Sequence, residues 1–243
     1  MITDTQLKQI MPNLPQAKLQ LYLPHLNAAM QASGVDNMLR TAAFVAQLAH
    51  ESAEFRFMEE IWGPTDAQNR YEPPADLAKR LGNTQPGDGR RFKGRGPIQI
   101  TGRFNYKKYG GLLGVDLEDH PELAAQPDWA FATAGLYWKS NGLNDLADAQ
   151  DFTTITRRIN GGLNGLPDRQ KYYERAKATL AQNFIAADFS TPRGVPNAVI
   201  ERMELKVSEP MTRGREAIFE VLGAQAPKRP TIKQIAAKKK APA

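Results

Sequence analysis

A mainly α-helical fold is predicted by three observations. Residues 36 to 50 are apolar on more than one face, as a central buried helix requires. The segments 127 to 141, 151 to 159 and 167 to 187 each open on Pro or Asp, residues that suit a first helical turn. Proline- and glycine-rich stretches punctuate the chain between them.

Taken in order, residues 4 to 33 read as two helices separated around Pro12 and Pro15, with Leu19, Leu21, Leu23 and Leu26 as apolar positions around Pro24. Asp36 is the expected N-cap of the buried helix, and Leu39, Ala42, Ala43, Val45, Ala46 and Leu48 supply its apolar faces. Gly63-Pro64 and Pro73-Pro74 make residues 61 to 75 a loop. A short helix over 76 to 81 ends at Gly82-Asn83. Residues 84 to 91 form a turn cluster. In 127 to 141, Trp129, Phe131, Ala134, Leu136 and Tyr137 are the core positions; Asp151 caps 151 to 159; Pro167-Asp168 opens the last long helix. Pro192, Gly194 and Pro196 then mark a weaker pattern. The expected organisation is a catalytic domain over 1–188, an irregular or helical extension over 189–225, and a disordered basic tail over 226–243.

The 243 residues suffice for one sizeable core. The chain has no cysteine, which removes disulfides and thiolate metal sites and suits a reducing compartment. The formal charge of +6 is local: Lys228, Arg229, Lys233, Lys238, Lys239 and Lys240 face no acid in 226 to 243. Without these six, 26 basic residues balance 26 acidic ones, so residues 1 to 225 are formally neutral. A neutral body disfavours nucleic acid as a partner. No run of eighteen apolar residues is present, and Met1 to Gln6 show neither a basic nor an apolar leader.

The most informative stretch runs from Phe92 to Tyr106. A Gly94-Arg95-Gly96-Pro97 turn precedes Gln99, Thr101 and Asn105 on an otherwise apolar segment. Close backbone approach with several neutral hydrogen-bonding groups suits a polyhydroxylated ligand such as a sugar; a strained structural turn is the alternative. The segment lacks the third glycine of a dinucleotide fingerprint and the Gly-Lys-Ser/Thr of a P-loop. His50-Glu51 lies upstream at the end of the buried helix. A zinc-binding helix is not expected there, because position 54 is Glu where the second His would stand. No metal or other cofactor is expected.

His50-Glu51-Ser52, then Gly94 to Tyr106, then Ile159-Asn160-Gly161-Gly162, in that order, resemble glycoside hydrolase family 19, the family of chitinases and phage endolysins. The likeness covers roughly residues 1 to 185. It implies a lysozyme-like, two-lobed helical fold with a small β-hairpin beside the cleft, near residues 60 to 104, and places the chain in the phage endolysin branch. It also implies a catalytic set of Glu51 as acid, Glu60 as base and Thr101 holding the attacking water. Gln99, Asn105, Asn160 and Arg169 match its substrate-contacting or carboxylate-flanking positions.

Glycosidic cleavage needs one carboxyl to protonate the leaving oxygen and another to activate water. Glu51 follows an apolar helix, so desolvation is expected to favour its protonated form. On an unbroken helix nine residues turn about 900°, which would set Glu51 and Glu60 on opposite faces. The helix must therefore end or bend between Ser52 and Met58. An inverting pair would stand about 6.5–9.5 Å apart. Bland readings stand beside these: Glu59-Glu60 as a solvated acidic pair, Asn160-Gly161-Gly162 as a helix C-cap, Thr101 as a strand residue, Arg169 as a surface charge. Arg95 is expected to bond carbonyls of its loop or Glu51, and Tyr106 to lie in the core. Two departures stand out: Ala53-Glu54 occupies a Gly-Gly position, adding a third acid near Glu51, and Ile61-Trp62-Gly63-Pro64 replaces an Asn-Leu-Asn-Tyr-like segment.

The resulting expectation is an endolysin-type hydrolase of the β-1,4 bond between N-acetylmuramic acid and N-acetylglucosamine, made in the host cytoplasm, acting as a monomer on peptidoglycan. The tail is expected to touch anionic lipopolysaccharide or to serve as a solubilising end. A chitinase, an injected bacterial toxin and a non-catalytic wall-binding protein are the alternatives.

Overall fold

The computed structural model describes residues 1–181. Their elements are α1 (Asp4–Ile10), α2 (Gln16–Ala32), α3 (Met38–Glu51), α4 (Asp66–Asn69), α5 (Asp76–Leu81), α6 (Asp88–Arg91), α7 (Arg103–Leu113), a 3₁₀ helix (Pro121–Ala125), α8 (Pro127–Ser140), α9 (Leu143–Asp148), α10 (Phe152–Asn160) and α11 (Leu166–Ala181).

The helix α3 is the central element. Every residue from Thr41 to Ala49 is buried, and α11 packs along it. Its alanines let neighbouring helices approach closely, and Phe44 fills the space beyond them, edge-on to Trp138 at 5.1 Å between ring centroids. Truncating Phe44 to Ala would cost about 3–5 kcal/mol, the usual range for a fully buried aromatic. Tyr22 of α2, Phe131 of α8 and Phe55 form a second aromatic group, with Phe55 and Phe131 5.2 Å apart. Phe152 stacks on Tyr173 at 4.3 Å and joins α10 to α11.

The expected helices are present, with corrections at their ends. Asn37, not Asp36, caps α3: its side chain accepts the Arg40 N–H, while the Asp36 carboxylate pairs with the Arg40 guanidinium. Asp151 caps α10 by accepting from Thr154 N. The elements α4, α6, α7 and α9 were not expected. The first two are single turns inside loops; α7 starts within the signature, where the glycines mask its helical period. Among the described residues the hairpin reduces to two isolated antiparallel bridges, Glu59 with Arg95 and Arg95 with Ile100. Pro97 has no N–H to donate and Gln99 is left-handed, so a ladder cannot extend. The expected boundary at 188, the extension over 189–225 and the basic tail over 226–243 lie outside the described residues.

Candidate active site

The chain reverses where the geometry of Glu51 and Glu60 requires it. Ser52 caps α3 at once after Glu51, and Ala53, Glu54 and Phe55 follow with φ of 48°, 62° and 57°. Three successive left-handed non-glycine residues are costly, at about 1–3 kcal/mol for each such position. Tertiary contacts hold them. Ser52 Oγ donates to Leu48 O and accepts from Phe55 N at 2.9 Å. Phe55 is buried in the aromatic group. Glu54, also buried, accepts from Asn13 N and Nδ2 and from the Tyr172 hydroxyl. The third acid near Glu51 is thus a structural one: its carboxylate anchors the turn to α11 and to the α1–α2 connection.

Glu51 is partly exposed and receives Arg169 Nη2 at Oε1. Arg169 is 1% exposed, so it is not a surface charge. Its Nη1 donates to Gln47 Oε1 and its Nε to Asn164 O. Gln47 in turn donates to Thr156 Oγ1 at 2.8 Å. A buried cation therefore sits at one of the two Glu51 oxygens, in the carboxylate-flanking place that the family likeness gives Arg169. Tyr137 lies nearby with its pKa pushed up to about 12 by burial, by Tyr109 and by the Glu51 charge. Its hydroxyl therefore remains a donor, to Arg158 O.

Glu60 is built into the signature. Its backbone N–H donates to Gly94 O, and Gly94 N returns a hydrogen bond of 2.9 Å to Glu60 Oε2. Gln68 Nε2 donates to Glu60 Oε1 at 2.9 Å. An ionised carboxylate offers about four acceptor positions, so capacity remains for water. Glu60 is thus not a freely solvated acid. Its neighbour Glu59 is the one that pairs outward, with Arg95 at 2.9 Å and Lys93 at 3.3 Å. Burial opposes the Glu59 charge, but Arg95 and Lys93 outweigh it and hold the carboxyl below its ordinary range. Arg95 also donates to Arg91 O and the Tyr106 hydroxyl; its carboxylate partner is Glu59, not Glu51. Tyr106 is in the core.

Gln99, at φ 55°, turns its Nε2 to Gly96 O at 2.8 Å. A Cβ on Gly94 would meet Gln99 Oε1 at 2.5 Å and Glu60 Oε2 at 3.4 Å, which is why position 94 is glycine. Thr101 Oγ1 donates to Gln99 O, and Asn105 Nδ2 donates to Thr101 O. Thr101 belongs to no strand, and among the described residues no donor reaches its hydroxyl oxygen. Gln99, Thr101 and Asn105 are therefore joined by hydrogen bonds into one group, and Glu60 borders them at Gly94. Glu51 and Arg169 form another. Asn160 joins neither: it is exposed at the last position of α10, before left-handed Gly161.

Sequence reasoning missed Gln47 and Gln68, which hold the two groups in place. The signal for Gln47 was present: a lone amide side chain inside an apolar helix, four positions before Glu51 and so on the same face. Gln68 lies in α4, where Thr65-x-x-Gln68 forms a capping box; that pattern signals a helix start, but not the bond to Glu60.

The class I chitinase family profile matches residues 25–147 of the chain. A Haemophilus influenzae protein described as containing a glycosyl hydrolase family 19 domain is 34% identical over 202 residues, covering 74% of this chain and 97% of that protein. The chain belongs to glycoside hydrolase family 19. As a member of family 19 it is a chitinase-like glycosidase. An Arabidopsis thaliana endochitinase is 41% identical over 122 residues, 50% of this chain but 39% of that protein, so the chain spans less than half of this plant relative. A crystal structure of a bacterial family 19 chitinase superposes with a TM-score of 0.55 at 26% identity, covering 74% of this chain and 94% of that one. Chitinase C of Streptomyces griseus, at 23% identity and a TM-score of 0.59, shares the fold over 74% of this chain and 92% of its own. The mainly α, lysozyme-like architecture is that of family 19.

Proposed function

We propose that the chain is an endolysin-type peptidoglycan hydrolase that cleaves the β-1,4 bond between N-acetylmuramic acid and N-acetylglucosamine with inversion. The observation that carries this reading is the pair of carboxylates fixed by different means on either side of the left-handed turn. Arg169 grips Glu51 at Oε1, leaving Oε2 to carry the proton for the leaving oxygen. Glu60 is fixed by neutral donors, Gln68 and the Gly94 N–H, so its charge remains available to draw a proton from water. Thr101 Oγ1, having spent its proton on Gln99 O, accepts a hydrogen bond from that water. General acid and base groups each contribute about 10²–10⁴ in rate. Gln99, Asn105 and Asn160 contact the sugar, and Arg169 acts by holding Glu51.

Peptidoglycan is favoured as substrate by charge: the basic segment over 226 to 243 suits an anionic wall, where the chain acts as a monomer after release from the host cytoplasm, with lipopolysaccharide as a second surface. Chitin is the second reading, favoured by the plant relative described as an endochitinase.

The test is digestion of purified peptidoglycan and of chitin by the wild type, Glu51→Gln and Glu60→Gln, with product ends identified by mass spectrometry and the anomer by NMR. Reducing N-acetylmuramic acid ends in the α configuration, lost about 10²-fold or more in both variants, are expected. Release from chitin alone would replace this reading with a chitinase. Retained activity in Glu51→Gln would remove Glu51 as the acid.

A further inference from the structure

Beside the Glu60 group lies an open depression of about 510 Å³, lined chiefly by Glu59, Arg90, Arg91, Lys93, Arg95 and Pro121. Glu59 and Glu60 are consecutive in the chain: one carboxylate turns to this depression, the other to Gln68 and Gly94. Four cations face one carboxylate here. That carboxylate, Glu59, is already shared between Lys93 and Arg95. The Arg91 guanidinium is steadied by the carbonyls of Glu118 and Asp119 and by the Phe92 ring, 5.5 Å away, groups that fix its place without cancelling its charge. Glu72 binds the backbone N–H groups of Gly87 and Arg90, not the arginine side chains. Among the described residues no hydrogen bond or ion pair holds the Arg90 guanidinium, and the residue is exposed.

We infer that this depression binds carboxylates of peptidoglycan stem peptides, with Arg90 and Arg91 as the anchoring cations, and so sets a preference for peptide-bearing wall glycan over uncharged polymer. The inference rests on the peptidoglycan reading above and adds a second contact to it. The chemistry is specific. Chitin carries no charge, whereas a stem peptide hanging from each N-acetylmuramic acid presents carboxylates. A guanidinium pairs with a carboxylate through two parallel N–H donors. Lys93 and Arg95 each reach Glu59 on the depression wall, leaving Arg90 and Arg91 as the lining cations not paired to a carboxylate among the described residues. No bond is made or broken in this step; it is recognition, and it acts on binding more than on turnover.

The experiment compares glycan strands bearing stem peptides with strands stripped of them by an amidase, using the full chain as wild type, Arg90→Gln, Arg90→Glu and Arg90→Lys. Thermal melting first confirms that each variant folds. The wild type is expected to show a KM about fivefold lower on stem-bearing strands, in line with a partly exposed charged contact. Arg90→Gln loses most of that preference, Arg90→Glu inverts it, and Arg90→Lys keeps part of it, with kcat changing little. Equal KM values of the wild type on both strands, or a preference that survives Arg90→Glu, would overturn the inference while leaving a peptidoglycan hydrolase intact. If the wild type cuts neither strand, the peptidoglycan reading fails. Calorimetric titration of a soluble disaccharide-tetrapeptide against chitotetraose then decides the depression separately: binding of the first alone, weakened by Arg90→Glu, supports it, and equal or no binding of the two removes it.

Discussion

His50 Nδ1 lies 2.7 Å from Asp168 Oδ2, and one residue further along each helix Glu51 meets Arg169. The end of α3 is thus tied to the start of α11 by two adjacent side-chain pairs. Successive helical residues point about 100° apart, so two such pairs fix both the place and the rotation of the helix end that carries Glu51. Gly165 closes this clamp from one side: at φ 72°, a Cβ there would stand 2.4 Å from the His50 ring.

Gly165→Ala is accordingly expected to push His50 off Asp168 and strain the backbone together. Stability should fall by about 1–3 kcal/mol, and kcat by roughly tenfold. Thermal denaturation and a hydrolysis assay read the two effects. A lower Tm with unchanged kcat would mean that the His50 pair does not position Glu51.

Arg169 is buried and holds three acceptors, Glu51, Gln47 and the Asn164 carbonyl. Arg169→Ala strands a partly exposed carboxylate and the buried Gln47 acceptor, at a cost of about 3–5 kcal/mol. Combining it with Glu51→Gln should recover about 1 kcal/mol or more relative to additivity. Urea unfolding of the two single variants and the double variant measures that coupling; additive losses would show that the pair is not energetically linked.

At Gly94 activity and stability should separate. The methyl of Gly94→Ala collides first with the far end of the Gln99 side chain, which can swing away, so Tm should move by only a few degrees. The swing breaks the Gln99–Gly96 hydrogen bond and the added methyl crowds Glu60 Oε2, and kcat is expected to drop about 10- to 100-fold. A fall in Tm without loss of kcat would contradict this.

Asp88 gives the pH dependence. Burial opposes its charge, but two hydrogen bonds from Arg103 and the N–H groups of Thr84 and Gln85 outweigh burial and lower its pKa from 3.8. A carboxyl with a depressed folded pKa contributes stability above its unfolded value and loses it as pH falls through the folded one. Asp88→Asn should therefore be less stable than the wild type at pH 7, and the gap should narrow below about pH 3.8. Denaturation midpoints of both proteins between pH 2 and 7 test this; a gap independent of pH would assign the loss to packing.

Much of this was legible in the chain. The apolar residues of α3 and the Pro or Asp openings of α8, α10 and α11 write helices directly, because each signal is local. The need for a break after Glu51 followed from helical geometry alone, and Ser52 to Phe55 supply it. The form of that break was not legible, because Ala53, Glu54 and Phe55 have no preference for left-handed backbone; distant partners hold them there. The same reason hid the bond from Gln68 to Glu60, and it left a surface charge open as the alternative for Arg169 beside the carboxylate-flanking place that the family likeness gave it. A first-turn arginine is ordinary until the fold closes α3 over it. The roles assigned to Glu51, Glu60 and Thr101 still rest on the family likeness joined to geometry, and the Gln variants are their test.

The anchorage of Glu54 reaches well beyond the turn it stabilises. Its partners Asn13 and Tyr172 lie near opposite ends of the described chain. The opening thirteen residues are thereby part of the scaffold that holds the turn between Glu51 and Glu60. A version shortened to begin after Asn13 would retain Glu51, Glu60 and Thr101 and lose the contact that holds the turn between the two carboxylates. Domain boundaries chosen from the signature motifs alone would cut through the support of the site they were meant to preserve.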